Sequence, residues 1–497
     1  AVDRLDVNFH GSGRNPNLRF DEWFASGTFE RGVGRMQISW NVRPMQSRLI
    51  IQGTSAVIEV DRFMQIVRVS RNLPGPKLIG MLVSAWTTAL KDVARVPRTV
   101  VRFATGRLKP SPGIRKGAID FATSLREGNS PPASAEEGRH VIAVLSEAFE
   151  RADRQRSSEL DARFGALPDA EVLVTGAAGF LGRALVERLH AQGKRIRVLV
   201  RRPAKWLSQL SDVQIVVGDL GEPAIVDHAL AGAAIVYHVG AAMKGSVRDF
   251  EAGTIWGTRN VIEACRKHGA QRLIYVSSLS VLDHAGRDPA RHVTESSAYE
   301  PYPDRRGAYT QTKLEAEKMV LKAISEEGLP AVVIRPGQIF GPGSETVTPN
   351  GVISLAGRWI AVGPADMTIP LVYVDDVVDA LLSASTAPGA VGQVINVVDP
   401  LEITQGTYLD ACKRHHGPSL KVLRVPTSVF VMLGFGVELL GKMLKRSVPL
   451  TRYRVRSLRP LANFDLEQAQ NLLSWNPRVG VMQGLERTFS GAKDART

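Results

Sequence analysis

The spacing of hydrophobic positions changes character near residue 167. Before it, residues 34–40, 48–53, 56–60 and 64–69 alternate or run β-branched, with Gly53-Thr54 as a turn, and predict an antiparallel sheet. Residues 78–99 read as one helix or as a broken pair ending at Pro97, and 119–127 and 135–154 as two more helices. Ser134 and Glu137, three apart, form a capping box for the last of these. Residues 152–168 are charged and then punctuated by Gly and Pro, which predicts a linker. From Glu171 the period alternates. Strands are expected at 172–174, 195–200, 214–217, 235–238, 272–277 and 331–335, with helices at 183–192, 224–230, 257–268 and 309–327. This rhythm predicts an α/β fold built on a doubly wound parallel sheet. Past residue 340 the pattern loosens, with strands at 364–374 and 392–398, a helix at 375–385 and a mostly apolar helix at 427–444. Three divisions follow: an α+β antiparallel-sheet domain at 1–165, a doubly wound domain at 166–345, and a small lobe at 346–497 interleaved with the second.

Residues 172–182 read Val-Leu-Val-Thr-Gly-Ala-Ala-Gly-Phe-Leu-Gly. A β-branched run ends in Gly176, Gly179 and Gly182, with Phe180 and Leu181 between them, and helix follows. That is the strand, tight turn and helix start of a dinucleotide pyrophosphate site. Side chains at the glycines would hold the phosphates off the backbone N–H groups, and the helix N-terminus adds partial positive charge. The next strand ends in Val200-Arg201-Arg202-Pro203, with no carboxylate nearby. A carboxylate there suits a ribose 2′-hydroxyl and an arginine suits a 2′-phosphate. Arg201 and Arg202 therefore predict NADP, with NAD as the alternative. Asp219-Leu220 closes the third strand, where Asp219 can accept from the adenine amino group. Val239-Gly240-Ala241 closes the fourth with small residues, and Ser277-Ser278 closes the fifth.

Tyr309 and Lys313 stand one helical turn apart and share a face. A phenol titrates near 10, too high for acid–base work at neutral pH unless a cation stabilises the phenolate. Lys313 and a positive nicotinamide would do so, and the Ser277-Ser278 pair would supply a hydroxyl to orient the substrate oxygen.

With these motifs in place, residues 171–490 resemble an extended short-chain dehydrogenase/reductase, of the epimerase/dehydratase and 3β-hydroxysteroid dehydrogenase kind. Further carriers are 335–343 (Arg-Pro-Gly-Gln-Ile-Phe-Gly-Pro-Gly), 372–377 (Val-Tyr-Val-Asp-Asp-Val) and the 469–477 segment. The resemblance implies a Rossmann-type sheet with a C-terminal lobe and Tyr309 as acid/base. It also implies that Lys313 lowers the Tyr309 pKa and holds the nicotinamide ribose, and that Ser278 sits on the substrate oxygen. Pro336, Gly337 and Ile339 would lie against the nicotinamide. Two departures matter. Sugar-nucleotide 4,6-dehydratases carry Thr-Asp-Glu where this chain has Ser278-Leu279-Ser280, which disfavours dehydration. The family's Asn before Gly257-Thr258 is represented by Thr254, which leaves the hydrogen bonding there open.

Residues 1–165 resemble the C-terminal, sheet-bearing half of the glucose–fructose/inositol dehydrogenases. The carriers are 48–61 and, within 118–150, Ile119-Asp120-Phe121, Gly128-Asn129-Ser130-Pro131-Pro132 and Ser134-Ala135-Glu136-Glu137-Gly138. That family's nucleotide-binding half and catalytic elements would lie upstream, so this module is expected to be structural or oligomerising.

Composition changes the picture little. The chain has 497 residues, 44% hydrophobic and 23% charged, with a net charge of +14. Its cations are spread out and not interleaved with aromatics, so no nucleic-acid partner is expected. Cys265 and Cys412 fit neither disulfide framework nor zinc spacing, which predicts no metal and a cytoplasmic setting. No apolar leader is visible, and the start at Ala1 rather than Met predicts a missing upstream portion. No run of eighteen apolar residues predicts a spanning helix. For 427–444, a core helix of the lobe is favoured over a membrane-surface lid, so peripheral membrane contact is not favoured. Arg452, Arg454, Arg456 and Arg459 are candidate cations for a substrate diphosphate. The leading expectation is a homo-oligomeric, NADP-preferring oxidoreductase acting on a small-molecule secondary alcohol or ketone. The alternatives are a nucleotide-sugar epimerase that retains NAD, and a non-catalytic NADP-binding scaffold.

Overall fold

A computed structural model of the chain describes residues 2–10, 21–29, 32–42, 46–71, 77–105, 112–165, 167–286, 291–355, 358–416, 420–432, 434–435 and 452–490. The chain divides into two compact units, Ala1–Arg154 and Gln155–Thr497.

In the first unit β1 (Val2–His10), β2 (Glu22–Phe29) and β3 (Gly32–Ser39) pair antiparallel. A second antiparallel sheet holds β4 (Arg48–Gln52), β5 (Ala56–Asp61) and β6 (Ile66–Arg71). Three helices follow: α1 (Lys77–Ala104), α2 (Pro112–Glu127) and α3 (Ala135–Phe164). α1 does not end at Pro97. It is anchored on both sides of the ring, by Asp92 to Arg68 at 2.6 Å and by the Thr99 hydroxyl to the Met64 carbonyl at 3.3 Å. The lost helical hydrogen bond is therefore tolerated. The capping box is present, with the Glu137 N–H on Ser134 Oγ at 3.0 Å and the Ser134 N–H on the Glu137 carboxylate at 2.8 Å. α3 then runs to Phe164, so 152–164 is helix and not linker. The last ten residues of α3 belong to the second unit, where Leu160 is 1% exposed within a core.

The second unit is organised on a parallel sheet. Its first six strands are β7 (Ala170–Thr175), β8 (Ile196–Val200), β9 (Val213–Val217), β10 (Ala233–His238), β11 (Arg272–Val276) and β12 (Ala331–Pro336). Between them run α4 (Phe180–Ala191), α5 (Pro223–Leu230), α6 (Val247–Phe250), α7 (Gly257–His268), α8 (Pro303–Arg306) and α9 (Ala308–Glu327). The lobe strands β13 (Gln338–Phe340), β14 (Val352–Leu355), β15 (Arg358–Val362), β16 (Thr368–Ile369) and β17 (Leu371–Tyr373) follow, then α10 (Val374–Thr386). β18 (Val394–Val397) returns as the seventh strand, although it lies in the stretch expected to be lobe.

The spatial order is β9-β8-β7-β10-β11-β12-β18. Order therefore runs backward to β7 and forward from β10, and the reversal between them is where such sheets bind ligands. One core packs α4 and α10 on one face, and another packs α5, α7 and α9 on the other. β8 is buried throughout, including Arg197, whose guanidinium donates to the carbonyls of Pro168 (2.7 Å), Ala229 (2.8 Å) and Ala231 (2.5 Å). The strand expected at 364–374 is two, β16 and β17, split at Pro370, which has no N–H to donate. Asp376 of α10 fastens the C-terminal segment, accepting the N–H groups of Arg478 (2.7 Å), Val479 (3.0 Å) and Gly480 (2.9 Å). Most of the helix expected at 427–444 lies outside the described residues, which resume at Arg452. Among the described residues no helix is long and apolar enough to cross a membrane.

Candidate active site

β7 delivers the glycine turn to the reversal point. Gly176 sits at φ +72°, and a Cβ there would stand 2.6 Å from the Cα of Gly240, so the turn closes against the end of β10 only because both lack side chains. α4 begins at Phe180 with Gly179 as its cap and no side chain bonded there. Its first N–H groups and positive end are thus left for an anion. Phe180 is half-buried beside Gly341, while Leu181 and Gly182 are buried in the core. These features fit a dinucleotide pyrophosphate.

Three side chains tie the strands at this point, and sequence reasoning passed over two of them. Thr175 Oγ1 is 2.8 Å from His238 Nδ1, and His238 Nε2 is 3.0 Å from Thr258 Oγ1. The Gly240 N–H donates to the same Thr175 oxygen at 3.2 Å. His238 is 1% exposed; burial first, then the Lys313 charge, pushes its pKa down to about 3, so the ring is neutral. Its signal was a lone polar residue ending an apolar strand. Thr254 answers the question left by the missing Asn. It lies in a π-turn (Glu251–Trp256) before α7, and its hydroxyl accepts the Ala242 N–H at 3.1 Å. Leu220 packs against Gly240 and Gly257, and its carbonyl accepts from Asn260 at 2.8 Å. Asp219 uses one oxygen to accept the Gly221 N–H at 2.8 Å. Val239 and Ala241 are half-buried, and Arg201 and Arg202 are exposed just past β8.

α9 faces the end of β11 with Tyr309, Lys313 and Glu317 at successive turns, and each reaches one residue there. The Tyr309 phenol lies close enough to Ser278 for that hydroxyl to act on its pKa. The Lys313 ammonium donates to the Val276 carbonyl at 2.7 Å, and Glu317 accepts from the Ser277 hydroxyl. Ser278 Oγ also accepts the Ser280 N–H at 3.1 Å. Burial raises the Tyr309 pKa, and the Ser278 hydroxyl opposes this. Lys313 is itself pulled down to about 8 by burial, with Glu317 acting against the fall.

Ser277, a candidate cofactor contact, turns its hydroxyl inward to Glu317. Glu317 also accepts from Tyr299 (3.0 Å) and Arg335, a buried set absent from the candidate residues. Its spacing, eight residues after Tyr309, was the available signal. Across the site Pro336 ends β12, the Gly337 N–H donates to the Val397 carbonyl at 2.9 Å, and Ile339 is half-buried in β13. Of the four candidate arginines, Arg454 lies beside Gly307, two residues before Tyr309, and Arg452 stacks on Phe435 at 5.0 Å. Arg456 and Arg459 are exposed.

Comparison with known proteins bears on this arrangement. Residues 172–397 match the NAD dependent epimerase/dehydratase family. A 3beta-hydroxysteroid-dehydrogenase/decarboxylase (isoform 1) of Arabidopsis thaliana is 31% identical over 350 residues, covering 64% of this chain and 78% of its own. A 2-alkyl-3-oxoalkanoate reductase of Stenotrophomonas maltophilia is 30% identical over 329 residues, covering 64% of this chain and 98% of its own. The crystal structure of gox2253 shares the fold, with a TM-score of 0.56 and 24% identity over 65% of this chain and 97% of that one. Fold and sequence agree: the chain belongs to the extended short-chain dehydrogenase/reductase family and is an NAD(P)-dependent enzyme.

Proposed function

We propose that this chain transfers hydride between NADP and a secondary alcohol or ketone on an apolar skeleton, with Tyr309 as proton donor and acceptor. The observation that carries it is the convergence of Tyr309, Ser278 and Lys313 at the end of β11, beside the strand-order reversal. The relatives named for a 3β-hydroxysteroid and a 2-alkyl-3-oxoalkanoate both hold an oxygen at carbon 3 of a largely hydrocarbon frame, which supports the substrate class.

Bound, the cofactor gives or takes the hydride at its nicotinamide ring. Tyr309 moves the proton at its phenolic oxygen, and Ser278, which acts on the same phenol, orients the substrate against it. Lys313 holds the nicotinamide ribose and stays largely protonated at neutral pH. The turn at Gly176, Gly179 and Gly182, with Phe180 and Leu181, holds the pyrophosphate. Arg201 and Arg202 hold the 2′-phosphate. Asp219, Leu220, Val239, Gly240, Ala241 and the Ser277 backbone line the adenosine and ribose side, and Pro336, Gly337 and Ile339 the nicotinamide. The organisation proposed with it is an α+β domain at 1–165, a nucleotide-binding domain at 166–345 and a substrate lobe at 346–497.

The test is Tyr309→Phe, assayed by NADPH absorbance against 3-oxosteroids and 2-alkyl-3-oxo acids. Turnover of any accepted substrate should fall by about 10²–10⁴-fold, with NADPH affinity kept. Unchanged turnover would refute the mechanism.

A further inference from the structure

Glu317 is fully buried and its carboxylate is saturated with donors. It accepts from the Ser277 hydroxyl, from Tyr299 Oη at 3.0 Å, from Arg335 Nε at 3.1 and 3.2 Å, and from Arg335 Nη2 at 2.5 Å. Arg335 is 1% exposed and spends its remaining donors on the Glu295 carbonyl (2.9 Å) and Tyr299 Oη (3.2 Å). A buried ion pair is a poor source of stability, since apolar residues of like volume pack as well without the desolvation cost. What apolar residues could not supply is an acceptor for Ser277 and a negative charge one turn from Lys313.

Both bear on the site. Lys313 holds the Val276 carbonyl and Glu317 holds the Ser277 hydroxyl, so Glu317 fixes the segment between the Lys313 contact and Ser278. The titratable groups facing Lys313 are Tyr309 and Glu317 on α9, Tyr275 on β11 with its ring 5.2 Å from Nζ, and neutral His238 on β10; Arg335 on β12 stands behind Glu317. Glu317 is the anion among them.

Resting on the function proposed above, we infer that Glu317, fixed one turn from Lys313 by its bonds to Ser277 and Arg335, is a positioning residue that keeps the Lys313 ammonium charged for cofactor binding. Arg335 is its counter-ion. Without the carboxylate, Lys313 loses the charge that opposes the pull of burial and falls below about 8. The first unit of such a fall cuts the protonated fraction about fivefold at pH 8 and hardly at all at pH 6.

The experiment titrates the full chain with NADPH and with NADH at pH 6 and pH 8, read as the ratio of variant to wild-type Kd. Glu317→Gln should bind about fivefold more weakly at pH 8 and within about twofold of wild type at pH 6. Glu317→Asp, which keeps the charge, should stay within about twofold at both. If Glu317→Gln does not fold because Arg335 is left unpaired, Glu317→Gln/Arg335→Met should show the same pH pattern. A loss of equal size at both pH values, no loss at either, or failure of both variants to fold makes Glu317 a scaffold residue and overturns the inference. A wild-type chain that binds neither nucleotide refutes the proposed function instead.

Discussion

Thr175 and His238, 63 residues apart, meet across the strand-order reversal with Oγ1 and Nδ1 2.8 Å apart. The contact joins the end of β7, which carries the glycine turn, to the end of β10, and burial keeps the ring neutral. The folded His238 pKa of about 3 lies below the ordinary 6.5. The unfolded chain therefore takes up a proton below pH 6.5 that the folded chain refuses. The stability this group contributes is complete above 6.5 and is lost as pH falls toward 3, by up to about 1.4 kcal/mol per pH unit. His238→Gln lacks that titration. Urea midpoints measured from pH 7 to pH 4 should show the gap between wild type and variant closing with acid; a constant gap would contradict the burial argument.

Ser278→Ala removes the hydroxyl that opposes the rise of the Tyr309 pKa. Alcohol oxidation, which needs the phenolate as proton acceptor, should then require higher pH. The acid limb of the rate profile should move to the alkaline side, with the rate at pH 7 falling more than the rate at pH 9. A profile that only drops in height would place Ser278 in substrate orientation alone.

Arg201→Glu places a carboxylate where a 2′-phosphate would lie. Losing a charged hydrogen bond costs about 1.5–3 kcal/mol, so NADPH affinity should weaken by about 10- to 100-fold while NADH affinity holds or improves. Fluorescence titration with both nucleotides checks this, and an equal loss for both would remove Arg201 from cofactor choice.

Asp376→Ala strips three backbone N–H groups, those of Arg478, Val479 and Gly480, of their acceptor. The Trp475 indole keeps its bond to the Asp376 carbonyl. Each buried unsatisfied donor costs about 1–3 kcal/mol, so thermal unfolding should occur several degrees lower. Proteolysis should release the C-terminal segment before the parallel sheet opens. Wild-type stability would mean the segment is held by Trp475 and packing.

Local chemistry was legible where a signal lies within one element. The glycine turn, the Tyr309–Lys313 spacing and six strands of the parallel sheet were all read from periods of two and 3.6 residues, because side-chain direction repeats along a single strand or helix. Errors came where tertiary contacts override that code. α1 passes through Pro97 because the sheet holds it on both sides. The last ten residues of α3 stay helical in the second unit, where Leu160 finds a core.

By itself the sequence determined the alternating α/β architecture, the nucleotide turn and the three residues proposed for the chemistry. Tertiary structure alone decided which polar groups meet. Thr175 with His238, Glu317 with Arg335 (18 residues apart) and Asp376 with Arg478 (102 apart) depend on strand order and on where helices dock. Hydrophobic periodicity records which face of an element is buried and says nothing of what lies opposite. For that reason the spacing that sets Lys313 one turn from Tyr309 could not show that its ammonium donates to the Val276 carbonyl.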